Sequence, residues 1–202
     1  MDRRKRRIRK RKVLKKKKPP FNISKFLEKN LKWILIILII FIVMHEYIVR
    51  IILVLALGIF GVYTLEITRF VPDVSFETVT AASVLFGYLY GWKFATAFAL
   101  IFGIYGHVKI SKMNQISITI ILFMVFSAVL ADFLAKFGYP FWVVFIGTFV
   151  LRAIVSYPVM QLVNPNVLKN MVHAVGDTVF NIAVVIHVFI IIVDVLNALN
   201  IK

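Results

Sequence analysis

The chain contains no cysteine, which excludes disulfides, thiolate metal sites and cysteine nucleophiles. Acidic residues are also scarce, because nine Asp and Glu stand against 25 Lys and Arg, for a formal net charge of +16. Three catalytic signatures are missing: the GxSxG nucleophile elbow, the HExxH zinc motif and the Walker A loop. The sequence therefore gives no reason to expect a cofactor, and no motif that marks an enzyme.

The positive charge is concentrated at the amino terminus. Thirteen of the first eighteen residues are Lys or Arg, and with Asp2 this block carries +12 of the +16. Residues 1–20 cannot pack a core, so we predict a disordered cytoplasmic tail. Each cation near an anionic leaflet contributes about 1 kcal/mol of binding, and contact with nucleic acid or a ribosome is a secondary interpretation. The cations are Arg3, Arg4, Lys5, Arg6, Arg7, Arg9, Lys10, Arg11, Lys12, Lys15, Lys16, Lys17 and Lys18.

The remainder of the chain is unusually apolar. Hydrophobic residues make up 61% of the sequence and charged residues only 17%, whereas a soluble domain has about one quarter charged residues. A bilayer can accommodate this surface, since about 20 apolar residues cross it as a helix that satisfies its own backbone groups. We predict an all-α, polytopic integral membrane bundle in the plasma membrane, with six or seven transmembrane helices within residues 33–202.

Polar interruptions divide this apolar region. Residues 21–32 are predicted to form a short interfacial helix. Two apolar runs then meet at His45-Glu46-Tyr47, which predicts spans at 31–47 and 49–67 joined by a tight turn. The first is short for a full crossing, so a tilted or partly interfacial helix is the alternative. The later spans are predicted at 74–91, 94–108, 116–134, 141–161 and 168–196.

The tail also predicts an orientation. Cations beside the first span keep that side in the cytoplasm, so the amino terminus is expected inside the cell. Seven spans would place Arg69, Lys109, Lys112 and Lys169 in the cytoplasm as well. Six spans would move each of these residues to the outer side, and both alternatives stay open.

Two ionisable residues lie deep in predicted spans, Arg152 and Asp177. A charge at the bilayer centre costs about 2.5–3.5 kcal/mol on insertion scales, so it calls for a partner or a purpose. The two residues belong to consecutive membrane segments, which makes an interhelical ion pair reasonable. One interpretation is purely structural, with the pair setting helix register. The other is that both residues line a pocket.

A polar stripe around Asp177 favours the pocket. His173, Asp177 and Asn181 are four residues apart and, with His187, fall within about 120° of the helix circumference. Such a stripe faces a cavity or other helices rather than lipid, and it could bind a polar molecule or relay protons. No metal site is expected, because the two histidines are too far apart to share an ion. Glu77 either stabilises a helix amino terminus or overhangs a cavity mouth.

From about residue 50 to 190 the layout resembles the substrate-binding S components of energy-coupling-factor vitamin transporters. The stretches that carry the resemblance are VPDVSFETVTAASVLFGYLYGWKFATAFALIFG and HAVGDTVFNIAVV. The resemblance implies a six-helix bundle with a ligand pocket near the outer face. It also implies a separate energising module with two ATPases and a coupling membrane subunit. The rod-shape-determining membrane protein D family has a related helical layout and is not a transporter.

The sequence thus predicts a membrane-embedded binding subunit for uptake of a small polar molecule. The site residues predicted around the pocket are Asp177, His173, Asn181, Arg152 and Glu77. One alternative is a non-transporting scaffold whose basic tail recruits a cytoplasmic partner or an anionic surface. The other is a small intramembrane enzyme acting on lipid, with Asp177 and His173 as acid and base.

Overall fold

The computed structural model describes residues 23–68, 77–111 and 113–201, which are helical and include no strand. The predicted all-α class is therefore confirmed, while the basic tail at 1–20 lies outside the described residues. The chain divides into two compact units after His45. In the first unit, residues 23–45 are helical, and large apolar side chains such as Trp33 and Ile37 are exposed.

The first helix, α1, extends over Ile23–Ile67. The tight turn predicted between spans 31–47 and 49–67 is wrong, because residues 46–50 continue the helix. No glycine or proline interrupts this stretch, and the carboxylate of Glu46 lies 3.6 Å from the guanidinium of Arg50 one turn later. A polar interruption without a helix breaker does not end a helix. The seven-span alternative is the one that requires this turn.

Helices α2 and α3 form a hairpin. α2 covers Val79–Tyr90 and α3 covers Trp92–Lys109. Gly91 joins them with a φ of +85°, a left-handed conformation that glycine adopts without steric cost. Nine residues of α2, from Val79 to Gly87, are buried, so this helix lies inside the second unit.

The remaining helices follow with short connections. The side chains of Asn114 and Asn166 cap two of them, accepting from the backbone N–H of Ser117 at 2.9 Å and of Lys169 at 3.0 Å. Pro158 lies within α5 and does not end it. The elements are α4 (Gln115–Lys136), α5 (Phe141–Val163), α6 (Val167–Phe180), a π-helical segment (Asn181–Val185) and α7 (Ile186–Ala198).

Among the described residues, four helical stretches are long and apolar enough to cross a membrane. Length and composition therefore indicate a multi-pass membrane protein. The four stretches are fewer than the six or seven transmembrane helices predicted from the sequence. α2 has only 12 residues, or about 18 Å at 1.5 Å per residue, against a hydrocarbon core of about 30 Å. The four stretches are Met44–Ile67, Gln115–Lys136, Phe141–Val163 and Val167–Ala198.

The core of the second unit is rich in phenylalanine. Phe86 of α2 packs edge-on against Phe98 of α3, with ring centroids 4.7 Å apart. On the outside of the same unit, large apolar side chains such as Leu122 and Ile154 are exposed by 61% and 64%. An outer surface of this kind is typical of a protein whose solvent is lipid.

Candidate functional site

A cluster of three buried charges links the start of α2 to α5 and α6. Glu77, Arg152 and Asp177 are exposed by only 1%, 7% and 2%. One guanidinium nitrogen of Arg152, Nη1, contacts Oδ2 of Asp177, and the other, Nη2, lies 3.5 Å from Oε2 of Glu77. The ion pair predicted between Arg152 and Asp177 is present. Arg152 also contacts Glu77, so the three side chains form a triad.

Two polar side chains hold the carboxylates in place. The amide of Asn181 donates to Oδ1 of Asp177 at 3.0 Å and to the backbone oxygen of Glu77 at 3.2 Å. The hydroxyl of Thr80 donates to Oε1 of Glu77 at 2.6 Å. The sequence had not indicated Thr80, although it lies one helical turn after Glu77. Four of the five predicted site residues therefore form one hydrogen-bonded group.

The π-helical segment begins at the cluster. Asn181 is its first residue, and the N–H of Ile186 donates to the backbone oxygen of Asn181, five residues earlier. Such segments are rare, and they occur frequently at functional sites. Because the chain turns less per residue here, the stripe predicted at 100° per residue does not continue past Asn181. His187 is consequently exposed on α7 and lies outside the cluster.

A cavity of about 360 Å³ lies at the end of the second unit where α1, α3 and α5 end and α2, α4 and α6 begin. Glu77 and His173, both predicted site residues, are part of its wall. Apolar side chains such as Leu65 and Ile120 complete it. The polar residues of the wall are Thr68, Glu77, His107, Asn114, Ser117, Asn164, Lys169, Asn170 and His173.

A second cavity of about 20 Å³ adjoins the first between α4, α5 and α6. It has room for one water molecule and is lined by Arg152 and Asp177 of the charge cluster. Nε of Arg152 is buried without a hydrogen-bond partner among the described residues. His173 and Asn170 line both cavities, so these two side chains stand between the larger cavity and the buried charges.

The sequence analysis predicted only two residues of the cavity wall, Glu77 and His173. Asn170 had a signal, because it precedes His173 by three residues and Asp177 by seven and therefore shares their helix face. Asn114 and Asn164 come from helix ends whose proximity depends on the tertiary fold. Among the described residues, no group of three or more His, Asp or Glu side chains is placed to hold a metal ion.

Comparison with known proteins finds no family model that matches the chain, and no curated protein or solved structure that is similar to it. The resemblance to S components therefore stays a prediction. The site itself combines a polar cavity, a buried carboxylate in its wall and a charge cluster behind it. These features are suited to binding a small polar molecule.

Proposed function

We propose that this protein binds a small polar molecule within the plasma membrane as part of its uptake. The cavity of about 360 Å³ carries this proposal, because pockets for small molecules usually measure about 300–1,000 Å³ and hold a few convergent polar groups. An ion pair that served only to set helix register would need no space beside it. The predicted pocket residues Glu77 and His173 both border that space.

The topology proposed with this function has six crossings. In this topology α1 crosses the bilayer once, and α4, α5 and the helix from α6 to α7 cross once each. α2 is too short to span the hydrocarbon core as a helix, but it is buried within the second unit, so its pass with α3 would be completed by backbone that protein surrounds. With the basic tail in the cytoplasm, the cavity end of the second unit faces outward. A substrate would then enter from outside the cell, as in the S components that the sequence resembles.

Uptake also needs an energy source. The resemblance to S components implies a separate ATP-hydrolysing module with its own membrane subunit, and we include that module in the proposal. The anionic leaflet around the basic tail is the second partner in this proposal. The charges of the tail would hold the cytoplasmic side of the protein at that surface.

A cavity-filling pair of variants tests the binding function. Ile120 lines both cavities, while Ile118, on the same helix, is 51% exposed and faces away from them. Ile120→Trp should displace a co-purifying small molecule by filling the cavity, whereas Ile118→Trp should retain it. Native mass spectrometry of the purified proteins measures the bound molecule directly.

The control separates cavity occupancy from general damage, since both variants place the same indole on α4. Equal retention in both variants would place the bound molecule outside the cavity. Recovery of lipid alone from all three proteins would contradict the proposal and favour the scaffold. Loss of binding to a cytoplasmic partner after deletion of residues 1–20 would then support that scaffold.

A further inference from the structure

The first unit contains a helical segment without a polar side chain, here called the apolar run. It comprises residues 33–44, WILIILIIFIVM, and belongs to α1. Its exposed side chains point in different directions. Leu35 and Ile37, exposed by 49% and 64%, lie about 160° apart around the helix axis at 3.6 residues per turn. A helix that is apolar all round needs apolar surroundings on every side.

The part of α1 that follows this run crosses the bilayer with the second unit. Leu57 and Leu65 are buried in the core of that unit. The candidate span Met44–Ile67 has 24 residues, or about 36 Å of helix, which is enough for one crossing. The apolar run ends where this span begins.

Polar groups mark the membrane boundary at this point. Arg50 pairs with Glu46 at 3.6 Å, and its guanidinium lies 4.9 Å from the ring centroid of Tyr90, at the end of α2 away from the cavity. In the six-crossing topology this end faces the cytoplasm. The apolar run comes before Glu46 in the chain, so this topology places it on the cytoplasmic side of the boundary.

Lipid does not suit the run in that position. A crossing of its own would need about 20 residues and a turn before the next span, whereas the run has 12 and α1 continues as a helix through residues 46–50. A helix in the membrane interface keeps a polar face towards water, and the run has none. Apolar runs of about 10–14 residues are more typical of helices buried in a protein core.

A second copy of the chain is disfavoured by charge. Two copies in one membrane have the same orientation, so their runs would pair in parallel. Lys29 and Lys32, both exposed just before the run, would then approach the same residues of the other copy, and two tails of +12 each would meet. Like charges brought together repel. The same cations suit a partner with carboxylates beside its apolar surface.

We propose that the apolar run docks into an apolar groove of another protein at the cytoplasmic face, and that Asp or Glu side chains border this groove. The proposal rests on the six-crossing topology and is independent of the molecule bound in the cavity. An apolar helix in a groove is a recurring mode of recognition. Here the groove encloses the helix, because Leu35 and Ile37 point to opposite sides. Lys29, Lys32 and the basic tail steer the acidic partner to the run.

Photocrosslinking of the full-length protein in the cells that make it tests this docking. A photoreactive phenylalanine replaces Leu35 or Ile37, or Ile154 of α5 as an equally exposed control at 64%. Mass spectrometry of the adducts identifies what each position contacts. Leu35 and Ile37 should both attach to one and the same protein, at peptides that contain or adjoin Asp and Glu, whereas Ile154 should attach to lipid alone. Replacing Lys29 and Lys32 together by Glu should remove most of the protein adduct.

Several results would overturn the proposal. Lipid alone at both Leu35 and Ile37 would place the run in the bilayer, and adducts between two copies would assign it to self-association. An undiminished adduct after the replacement of Lys29 and Lys32 would exclude the acidic border. Labelling of Ile37→Cys by an impermeant maleimide from outside intact cells would overturn the topology beneath the proposal. None of these results bears on the cavity, whose binding function is decided by Ile120→Trp and Ile118→Trp.

Discussion

At the scale of single residues, Arg152 holds together two carboxylates that would otherwise repel each other. Its side chain is 8% exposed and contacts acids from two different elements, Glu77 before α2 and Asp177 in α6. Arg50 also pairs with a carboxylate, but its side chain is 30% exposed and its partner is on the same helix. The two arginines therefore offer the same ion-pair chemistry in a buried and a partly exposed setting.

Replacing each arginine by leucine should show how much the buried and the partly exposed ion pair each contribute to the free energy of unfolding. Arg152→Leu leaves two buried carboxylates without a counter-charge and should lower the free energy of unfolding by about 3–5 kcal/mol. Arg50→Leu removes a partly exposed pair and should cost about 0–1 kcal/mol. Denaturant titration of the purified variants in the same detergent measures both losses. Equal losses would mean that the buried cluster adds no stability beyond an ordinary surface pair.

The pair of Arg152 and Asp177 could be predicted because both residues are charged and lie in consecutive apolar segments. The inclusion of Glu77 could not, since 75 residues separate it from Arg152 and no local pattern connects them. The sequence predicted two alternative roles for Glu77: stabilising a helix amino terminus or overhanging the mouth of a cavity. In the structure it borders the cavity and at the same time contacts the deep arginine.

At the scale of elements, α2 and α4 approach closely because α2 has a glycine at the contact. A Cβ at Gly87 would lie 2.5 Å from the backbone oxygen of Ala128 and 3.1 Å from the side chain of Ala131. Small residues at helix contacts are typical of membrane bundles, where packing replaces the hydrophobic driving force. The glycine places α2, and with it Glu77 and Thr80, against the centre of the second unit.

Alanine at two helical glycines should have opposite effects. Gly87→Ala should be destabilising, because the new methyl group meets backbone in α4 that cannot move aside independently. Gly176→Ala should stabilise by up to about 1 kcal/mol, since nothing lies within 4 Å of its added Cβ and alanine is the better helix former. Thermal unfolding measured by size-exclusion chromatography compares them. Similar Tm values for Gly87→Ala and the wild type would contradict the close approach.

The predicted boundaries from α3 onwards agree with the structure within three residues, because Gly91, Asn114 and Asn166 are recognisable helix ends. The helix end predicted near Tyr47 was wrong because it was based on polar residues alone. In α1 the charge of Glu46 is paired with Arg50 one turn later in the same helix. The π-helical segment leaves no mark in composition. It begins at Asn181, whose amide donates to the backbone oxygen of Glu77, a contact between residues far apart in the sequence.

At the scale of the whole molecule, the charge of the tail decides the proposed orientation. Thirteen cations precede residue 19, whereas the competing group near the predicted span boundaries is smaller: Arg69, Lys109, Lys112 and Lys169. Juxtamembrane cations are retained in the cytoplasm, so the larger group should prevail. In the proposed orientation, with one crossing by α1, Gln115 at the start of α4 would lie outside and Lys136 at its end inside.

Single cysteines can test this orientation, because the natural sequence has none and each introduced thiol is unique. Met113→Cys and Tyr139→Cys lie just beyond the two ends of α4, at positions that are 47% and 49% exposed. A membrane-impermeant maleimide applied to intact cells should label Met113→Cys, and Tyr139→Cys only after permeabilisation. Since the two positions are equally exposed, a difference in labelling reports the side of the membrane. The reverse pattern would turn the cavity towards the cytoplasm, and a protein with that orientation could not receive its substrate from outside.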